Sequence, residues 1–167
     1  MIRLATPADL PAVHAVELSA GTVFAGTHMD FAANHAPNHP ADLLTAIRRR
    51  LMWVAVTDAT PIGFLFAEPC NEGLYLRELA VAAPSQQQGH GAALMAIGIA
   101  AARERRDPLV MLTTDRTLPW NAPFYARLGF TIAEGDAIPR EAQRRLAGQY
   151  AMGFSPAHRC AMVMDLR

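Results

Sequence analysis

The chain has 167 residues, of which 51% are hydrophobic, so we expect a single domain over residues 1–167 with a sizeable core. Fifteen basic residues balance fifteen acidic ones, which argues against a nucleic-acid partner, because such proteins need surplus Lys and Arg to displace counterions. Neither a signal-peptide pattern nor an apolar run of roughly 20 residues is present, so we expect a cytoplasmic protein without a membrane partner.

The first half of the chain predicts two helices on either side of a long loop, followed by a β-hairpin. Thr6 and Pro7 are typical of a helix start, as the capping residue and the first helical residue. The loop holds Gly, Asn, His and Pro in no clear period, and loops of its length are often functional. In chain order we predict a strand at 2–5, a helix at 6–18, the loop at 21–40, a helix at 41–50, and strands at 51–57 and 62–68.

The second half alternates strands and helices, which predicts a mixed sheet flanked by helices. The helix that precedes Pro108 is apolar on nearly every side, so we expect it to lie buried on the sheet. Its residues Leu94, Met95, Ile97 and Ile99 are assigned to the core. In chain order we predict a strand at 73–81, a helix at 89–105, a strand at 109–113, a helix at 121–128, a strand at 130–133, a helix at 140–150 and a strand at 159–166.

A glycine-bearing loop between the strand at 73–81 and the following helix is the most informative stretch of the sequence. The first four amides of a helix lack an internal partner and the helix dipole adds positive charge, so a diphosphate fits there without a lysine. Gly89 and Gly91 allow positive φ and close approach of the backbone. The Walker and dinucleotide-binding patterns both fail, because Ala92 follows Gly91 and Leu94 stands where a third glycine is required.

A second motif lies thirty residues beyond the loop, in Trp120-Asn121-Ala-Pro123-Phe-Tyr125-Ala-Arg-Leu-Gly129-Phe130. Together with Gln86, Gly89 and Gly91, it resembles the GNAT superfamily of acyl-CoA N-acyltransferases, whose central motif is Gln/Arg-x-x-Gly-x-Gly/Ala at the start of a long helix. The resemblance covers residues 75–132, with weaker support from 2–18. It implies an α+β fold with α/β/α layers and a twisted, mostly antiparallel sheet of about six to seven strands.

The resemblance also implies acetyl-CoA as the co-substrate. The strand before the loop would pair with the pantetheine arm, the loop amides would bind the pyrophosphate, and Asn121 would bond the pantetheine region. Many family members carry Arg or Lys in the loop, so affinity here would depend more on backbone amides, helped by Arg127. The residues expected to bind the coenzyme are Leu79, Ala80, Val81, Gln86, Gln87, Gln88, Gly89, His90, Gly91, Ala92, Asn121, Pro123, Tyr125 and Arg127.

The implied reaction is direct attack of a primary amine on the thioester in a ternary complex. An alkyl amine of pKa about 10.4 must first lose a proton, and the departing thiolate, whose thiol has a pKa of about 8.5, benefits from a proton donor. By motif position we expect Tyr125 to be the acid, the alternative being a packing aromatic. Glu78 is expected to be the base, directly or through water, the alternative being an ion pair with Arg77.

The acceptor is expected to be a small-molecule amine or an amino-acid-like compound. Two alternatives stay open: acetylation of protein N-termini or lysines, and a non-catalytic acyl-CoA sensor built on the same fold. The presence of both Asn121 and Tyr125 favours an enzyme. Residues 21–50, residues 64–71 and Trp120 are expected to shape the acceptor site, and a homodimer is compatible with the sequence.

Three histidines in the long loop invite a metal interpretation. His28, His35 and His39 are spaced by seven and four residues, without a carboxylate in a firm pattern. We therefore expect exposed or acceptor-binding histidines and no metal site.

Overall fold

The computed structural model of the protein describes residues 1–34 and 36–167. Within that part of the chain seven strands and five α-helices are formed. The strands are β1 (Ile2–Leu4), β2 (Met52–Thr57), β3 (Thr60–Cys70), β4 (Gly73–Val81), β5 (Leu109–Asp115), β6 (Thr131–Ala133) and β7 (Arg159–Asp165). The helices are α1 (Leu10–Gly21), α2 (Pro40–Arg48), α3 (His90–Glu104), α4 (Ala122–Arg127) and α5 (Arg140–Ala151).

The strands form one hydrogen-bonded sheet in the order β1-β2-β3-β4-β5-β7-β6. β2 and β3 form the predicted antiparallel hairpin, and β1 also pairs with β2 in antiparallel orientation. β7 runs antiparallel to both β5 and β6, whereas β4 and β5 pair in parallel at Leu74–Val110 and Tyr75–Met111. The predicted mixed sheet of about six to seven strands with flanking helices is therefore confirmed, and the sheet has seven strands.

The chain divides into two compact units. The first unit comprises Met1–Ala67 and Glu78–Gly98, and the second comprises Glu68–Arg77 and Ile99–Arg167. β3, β4 and α3 each contribute residues to both units. A single domain over residues 1–167 stays a prediction.

The core of the first unit packs α1 and α2 against the hairpin strands. Phe64 and Phe66 are fully buried with their ring centroids 6.3 Å apart, and side chains from both helices cover them. Burying one large apolar side chain stabilises a fold by about 1.5–3 kcal/mol. The members of this core are Ala5, Val13, Val16, Leu43, Ala46, Met52, Val54, Val56, Phe64, Phe66 and Ala80.

The start of α1 differs slightly from the prediction. Pro7–Asp9 form a 3-10 turn, and the α-helix begins at Leu10 and continues to Gly21. The backbone N–H and the hydroxyl of Thr6 both donate to Asp9 Oδ2, at 2.7 and 2.9 Å. Arg3 donates two further hydrogen bonds to the same carboxylate, each of 2.8 Å. Thr6 and Asp9 thus close the helix start as a capping box.

The core of the second unit packs α5 against the central strands of that unit. Tyr75 of β4, Met111 of β5 and Ala161 of β7 contact Ala142 and Leu146 of α5. All five residues are buried. The helix predicted at 140–150 is therefore a structural layer over this part of the sheet.

The prediction that α3 lies buried on the sheet, with Ile97 in the core, is wrong for one face of the helix. Leu94, Met95 and Ile99 are buried as expected, but Ile97 is 39% exposed. Ala93, Ala96 and Ala100 are exposed as well. Alanine adds little apolar area, so the helix is stable with one face covered although its sequence is apolar all round. In the described residues, no helix has the length and apolar character needed to cross a bilayer.

Candidate active site

The loop between β4 and α3 presents a row of backbone amides at the helix start. Ala83–Ser85 form a 3-10 turn after β4, and α3 begins at His90. The first i to i−4 hydrogen bond of the helix runs from Ala93 N to Gly89 O, at 3.0 Å. The N–H groups of His90, Gly91 and Ala92 precede that bond, so the helix itself provides them with no acceptor. These amides are the ones predicted to bind a pyrophosphate.

Two residues of the loop adopt the left-handed conformation. Gly89 has φ +85°, and a Cβ placed there would meet no heavy atom within 4 Å. The predicted positive φ is therefore confirmed at Gly89 and wrong at Gly91, which lies inside the first helical turn. The second left-handed residue is Gln87, with φ +60°, a conformation that costs a non-glycine residue about 1–2 kcal/mol. The sequence gives no signal for this strain.

Glutamine side chains brace the loop from within. Gln86 Nε2 donates to the carbonyl of Val81 at 2.9 Å, and Gln88 Nε2 donates to the carbonyl of Pro84 at 3.1 Å. The amide of Ala83 donates to Ser19 Oγ of α1 at 3.0 Å. The side chain of Gln86 therefore has a structural partner, and the loop's own backbone amides remain the groups suited to an anion. Their binding of the coenzyme stays a prediction.

Glu78 of β4 is tied to the long loop through Asn38. The side-chain amide of Asn38 donates to Glu78 Oε2 and also to Glu17 Oε1 of α1. The backbone amide of Asn38 donates to the same Glu17 oxygen at 2.9 Å. One residue of the segment expected to shape the acceptor site thus contacts the expected base. No sequence motif indicated that Asn38 or Glu17 would contact the expected base.

Next to Glu17 lies a second polar side chain of α1. His14 Nε2 is 4.0 Å from Glu17 Oε2, and the Glu17 side chain is only 6% exposed. In the described part of the chain these two atoms are buried and lack a hydrogen-bond partner.

Arg77, the alternative ion-pair partner expected for Glu78, pairs with Glu68 in the second unit. Its Nη1 lies 2.5 Å from Glu68 Oε1, and Arg145 of α5 also pairs with Glu68. Burial alone would raise the pKa of Glu68, but the hydrogen bonds from Arg77 and Arg145 outweigh it and lower that pKa. The role of Glu78 as the base stays a prediction.

The second motif forms α4 and the turn that follows it. Asn121 precedes the helix, and its carbonyl accepts from the amide of Tyr125 at 3.2 Å. The side chain of Asn121 does not cap the helix. Gly129 has φ +99° and ends α4 as predicted. Pro123 lies in the first turn and Arg127, which is exposed, in the last.

Tyr125 is half-buried among aromatic rings of the second unit. Its ring meets Phe124 edge-on at a centroid distance of 5.1 Å and Phe130 at 6.2 Å. These contacts fix the ring by packing, which was the structural alternative for Tyr125. They are compatible with a reactive hydroxyl as well, so the acid role stays a prediction.

The histidines of the long loop have separate environments. His28 is exposed, and His39 caps α2 by accepting from the amide of Ala41 at Nδ1, 3.2 Å away. His35 lies outside the described residues. In residues 1–34 and 36–167 no group of three or more His, Cys, Asp or Glu side chains is arranged to hold a metal ion.

Comparison with known proteins identifies the family to which these motifs belong. Residues 48–132, just over half of the chain, match the family model of the acetyltransferase (GNAT) domain. The matched range includes β4, the amide-bearing loop, α3 and the Asn121–Tyr125 motif.

Solved structures with low sequence identity share the fold. PaiA N-acetyltransferase from Thermoplasma acidophilum, in complex with coenzyme A, is 17% identical with a TM-score of 0.72, over 99% of this chain and 98% of that chain. Ribosomal-protein-alanine N-acetyltransferase from Brucella melitensis is 19% identical with a TM-score of 0.69, over 99% of both chains. N-acetylglutamate synthase from Neisseria gonorrhoeae, complexed with coenzyme A and N-acetyl-glutamate, is 19% identical with a TM-score of 0.73, over all of this chain and 35% of that chain.

At these identities the likeness establishes the fold, and the family model establishes the ancestry of the sequence. The expected family and the expected class of enzyme are both confirmed. The chain belongs to the GNAT acetyltransferase family.

Proposed function

We propose that the protein transfers the acetyl group of acetyl-CoA to a primary amine of a small molecule, by direct attack within a ternary complex. Membership of the GNAT acetyltransferases accounts for the reaction class and for acetyl-CoA as the donor. The observation that carries the proposal is the start of α3, where the amides of His90, Gly91 and Ala92 precede the first helical hydrogen bond.

These amides suit the pyrophosphate of the coenzyme on electrostatic grounds. A helix N-terminus carries about half a positive charge, and an anion there gains about 0.3–1 kcal/mol at an exposed site, or ~2 kcal/mol when partly buried. Residues 82–92 contain no Lys or Arg. A Cβ placed at Gly89 would meet no heavy atom within 4 Å, so the surroundings of this residue are open. We infer that coenzyme affinity depends on backbone amides of residues 86–92.

Glu78 is proposed to take the proton that the acceptor's ammonium group must lose before it attacks. The hydrogen bond from Asn38 to Glu78 Oε2 favours the ionised carboxylate, which is the form that a base requires. A positioned base of this kind contributes typically about 10²–10⁴-fold to the rate.

Tyr125 is proposed to protonate the sulfur that leaves when the carbon–sulfur bond breaks. The new bond joins the amine nitrogen to the carbonyl carbon as the carbon–sulfur bond breaks, and the phenol proton moves to the thiolate. The second proton that the nitrogen loses to become an amide then restores the phenol of Tyr125, directly or through water. Packing of the ring against Phe124 and Phe130 limits the positions of the hydroxyl, which supports the assignment because a positioned donor needs a fixed rotamer. Asn121, Pro123 and Arg127 are proposed to contact the coenzyme from the same motif.

The small-molecule acceptor is the finer part of the proposal. Among proteins of this fold, one is a ribosomal-protein-alanine N-acetyltransferase and another is an N-acetylglutamate synthase complexed with N-acetyl-glutamate, so the fold alone does not decide the acceptor. A thiol-release assay with acetyl-CoA, run against small primary amines and against peptides with free N-termini or lysines, tests it. We expect turnover with small amines. Turnover with peptides alone would assign the protein alternative instead.

A further inference from the structure

Arg159, the first residue of β7, is held by an amide oxygen and an aromatic ring. Its side chain is half-buried. Its Nε donates to Gln149 Oε1 of α5 at 3.1 Å, and its guanidinium carbon lies 4.6 Å from the ring centroid of Phe154. Among the described residues, no carboxylate lies within 4.0 Å of the Arg159 nitrogens.

A chain of hydrogen bonds within the second unit fixes the orientation of this guanidinium. Gln149 Nε2 donates to Thr113 Oγ1 at 2.9 Å, which turns the amide oxygen of Gln149 towards Arg159. Thr113 Oγ1 is in turn 2.7 Å from the hydroxyl of Tyr75. Three side chains, from β4, β5 and α5, therefore hold the Nε edge of Arg159. The terminal nitrogens Nη1 and Nη2 are not used by this chain of bonds.

Six other arginines of the second unit form ion pairs with carboxylates: Arg77, Arg105, Arg116, Arg144, Arg145 and Arg167. Arg145, which is half-buried like Arg159, binds Glu141 at 2.7 Å and also pairs with Glu68. Burial acts to lower the pKa of Arg145, but its hydrogen bonds to Glu141 and Glu68 reverse the direction and raise it. Burial lowers the pKa of Arg159, and the more distant charges around it do not compensate.

The carboxylate opposite Arg159 in the sheet already accepts hydrogen bonds from other groups. Asp115 lies opposite Arg159 in the β5–β7 register, and its Oδ1 accepts from the amides of Thr117 and Leu118, each at 2.8 Å. A partly desolvated cation without a close counter-ion carries an unfavourable free energy, which an anionic ligand would offset. Arg159 and the proposed acid Tyr125 belong to the same compact unit of the chain.

We propose that Nη1 and Nη2 of Arg159 bind a carboxylate of the acceptor, so that the substrate class is an amino-acid-like amine. The guanidinium presents two parallel donors that match the two oxygens of a carboxylate. This inference rests on the proposed function, because it names the acceptor of the same reaction. It also distinguishes a free amino acid from a protein N-terminus, whose α-carboxyl is an amide.

The test compares amine acceptors that differ only at the carboxylate. Free amino acids and their carboxamides are assayed as pairs for acetyl-CoA-dependent thiol release, with the wild type, Arg159→Gln and Arg159→Lys. We expect kcat/KM of the wild type to favour the acid by about tenfold to a hundredfold, the range of a charge-assisted hydrogen bond. Arg159→Gln removes that preference, and Arg159→Lys, which keeps the charge without the two-pronged geometry, retains part of it. Arg144→Gln, an exposed arginine of α5 paired with Glu141, serves as the control and keeps the full preference.

Binding measurements separate this inference from the proposed function and from a phosphate ligand. Isothermal titration with acetyl-CoA checks that each variant is folded and binds the donor. Adenosine 3′,5′-bisphosphate reports on coenzyme phosphates, and we expect Arg159→Gln to leave its affinity unchanged. A tenfold loss of that affinity would assign Arg159 to the coenzyme and overturn the proposal.

Two further outcomes decide the matter. Equal turnover of acids and carboxamides by the wild type overturns the inference and leaves the proposed function intact. If acetyl-CoA binds but no amine is acetylated, the proposed function fails. The Arg159 site is then judged by the NMR shift of its Nε–H signal upon titration with N-acetylglycine and with N-acetylglycinamide. A shift with the acid alone supports the site, and no difference between the two overturns it.

Discussion

Asn38 and Glu78 are 40 residues apart in the chain, yet the side-chain amide of Asn38 donates to the Glu78 carboxylate. The same amide also binds Glu17, so one residue of the long loop joins a helix and a strand of the first unit. This contact gives a physical reason why the segment between α1 and α2 should influence the proposed base.

Replacing Asn38 by Asp is expected to move the acidic limb of the pH–rate profile to higher pH. A third negative charge beside Glu78 and Glu17 disfavours the ionised form of Glu78 and so raises its pKa. Gln143→Glu, at an exposed position of α5, adds a negative charge in the second unit and should leave the profile in place. If the acidic limb of the pH–rate profile does not move in the Asn38→Asp variant, the ionisation of Glu78 does not determine that limb.

Glu78→Gln is expected to lower kcat by about 10²–10⁴-fold, the usual contribution of a positioned base. The acidic limb should disappear from the profile, while the affinity for acetyl-CoA measured by titration calorimetry stays nearly the same. Glu104→Gln, at the exposed end of α3, is the matched control. An unaltered pH–rate profile would assign the base to another group or to water.

Tyr125→Phe is expected to lower kcat with little effect on acetyl-CoA affinity. The ring contacts with Phe124 and Phe130 are retained by phenylalanine, so the thermal unfolding midpoint should hardly change. Tyr150→Phe, on the half-buried part of α5, removes a hydroxyl elsewhere in the second unit as a control. Undiminished turnover would retire Tyr125 as the acid and leave it a packing residue.

Gly89→Ala is expected to weaken acetyl-CoA binding and to destabilise the fold together. At φ +85° an alanine costs about 1–2 kcal/mol, and relief of that strain would shift the amides that follow. Gly153 has φ +102° and the same open surroundings, so Gly153→Ala imposes a similar strain remote from the loop. Calorimetric titration should find coenzyme affinity reduced only at position 89. If Gly89→Ala and Gly153→Ala weaken acetyl-CoA binding equally, Gly89 contributes to the stability of the fold and has no specific role in the binding loop.

Asp9→Asn is expected to destabilise the protein at neutral pH and not at strongly acidic pH. Hydrogen bonds from Arg3 and Thr6 lower the pKa of Asp9 from 3.8 to about 2. A carboxylate whose pKa is depressed on folding stabilises the native state above the unfolded pKa, and that stability is lost as pH falls through the folded pKa. Allowing for solvent screening, we expect a loss of about 1 kcal/mol at pH 7. Urea unfolding should show the difference from wild type vanishing below pH about 2, and a pH-independent difference would contradict the assignment.

The elements of the fold follow from local sequence patterns. The succession of β-rich runs, Pro84, Pro108 and Gly129 places strands and helices to within a few residues, because periodicity and turn chemistry are local properties. The glycine-bearing loop is predictable for the same reason. The exposure of Ile97 was missed, since an all-apolar helix does not tell which face its neighbours cover.

The contacts that organise the site are long-range and were not predictable. Asn38 of the long loop contacts Glu78 of β4, and Arg159 of β7 contacts Gln149 of α5. Both contacts depend on how separate elements pack together, and no short sequence motif predicts that packing. A residue with a side chain disfavours the positive φ that Gln87 adopts. This conformation therefore results from the structure of the surrounding loop and not from the residue type. The sequence predicted the backbone amides at the start of α3 and the motif residues, whereas the side chains that contact Glu78 and Tyr125 are known only from the structure.

The most direct test of the account is an NMR titration of the backbone amides with CoA and, separately, with pantetheine, which lacks the pyrophosphate. We expect the signals of His90, Gly91 and Ala92 to shift with CoA and to remain unchanged with pantetheine. If CoA leaves these three amides unperturbed, the start of α3 does not bind the pyrophosphate and the proposed coenzyme site is wrong.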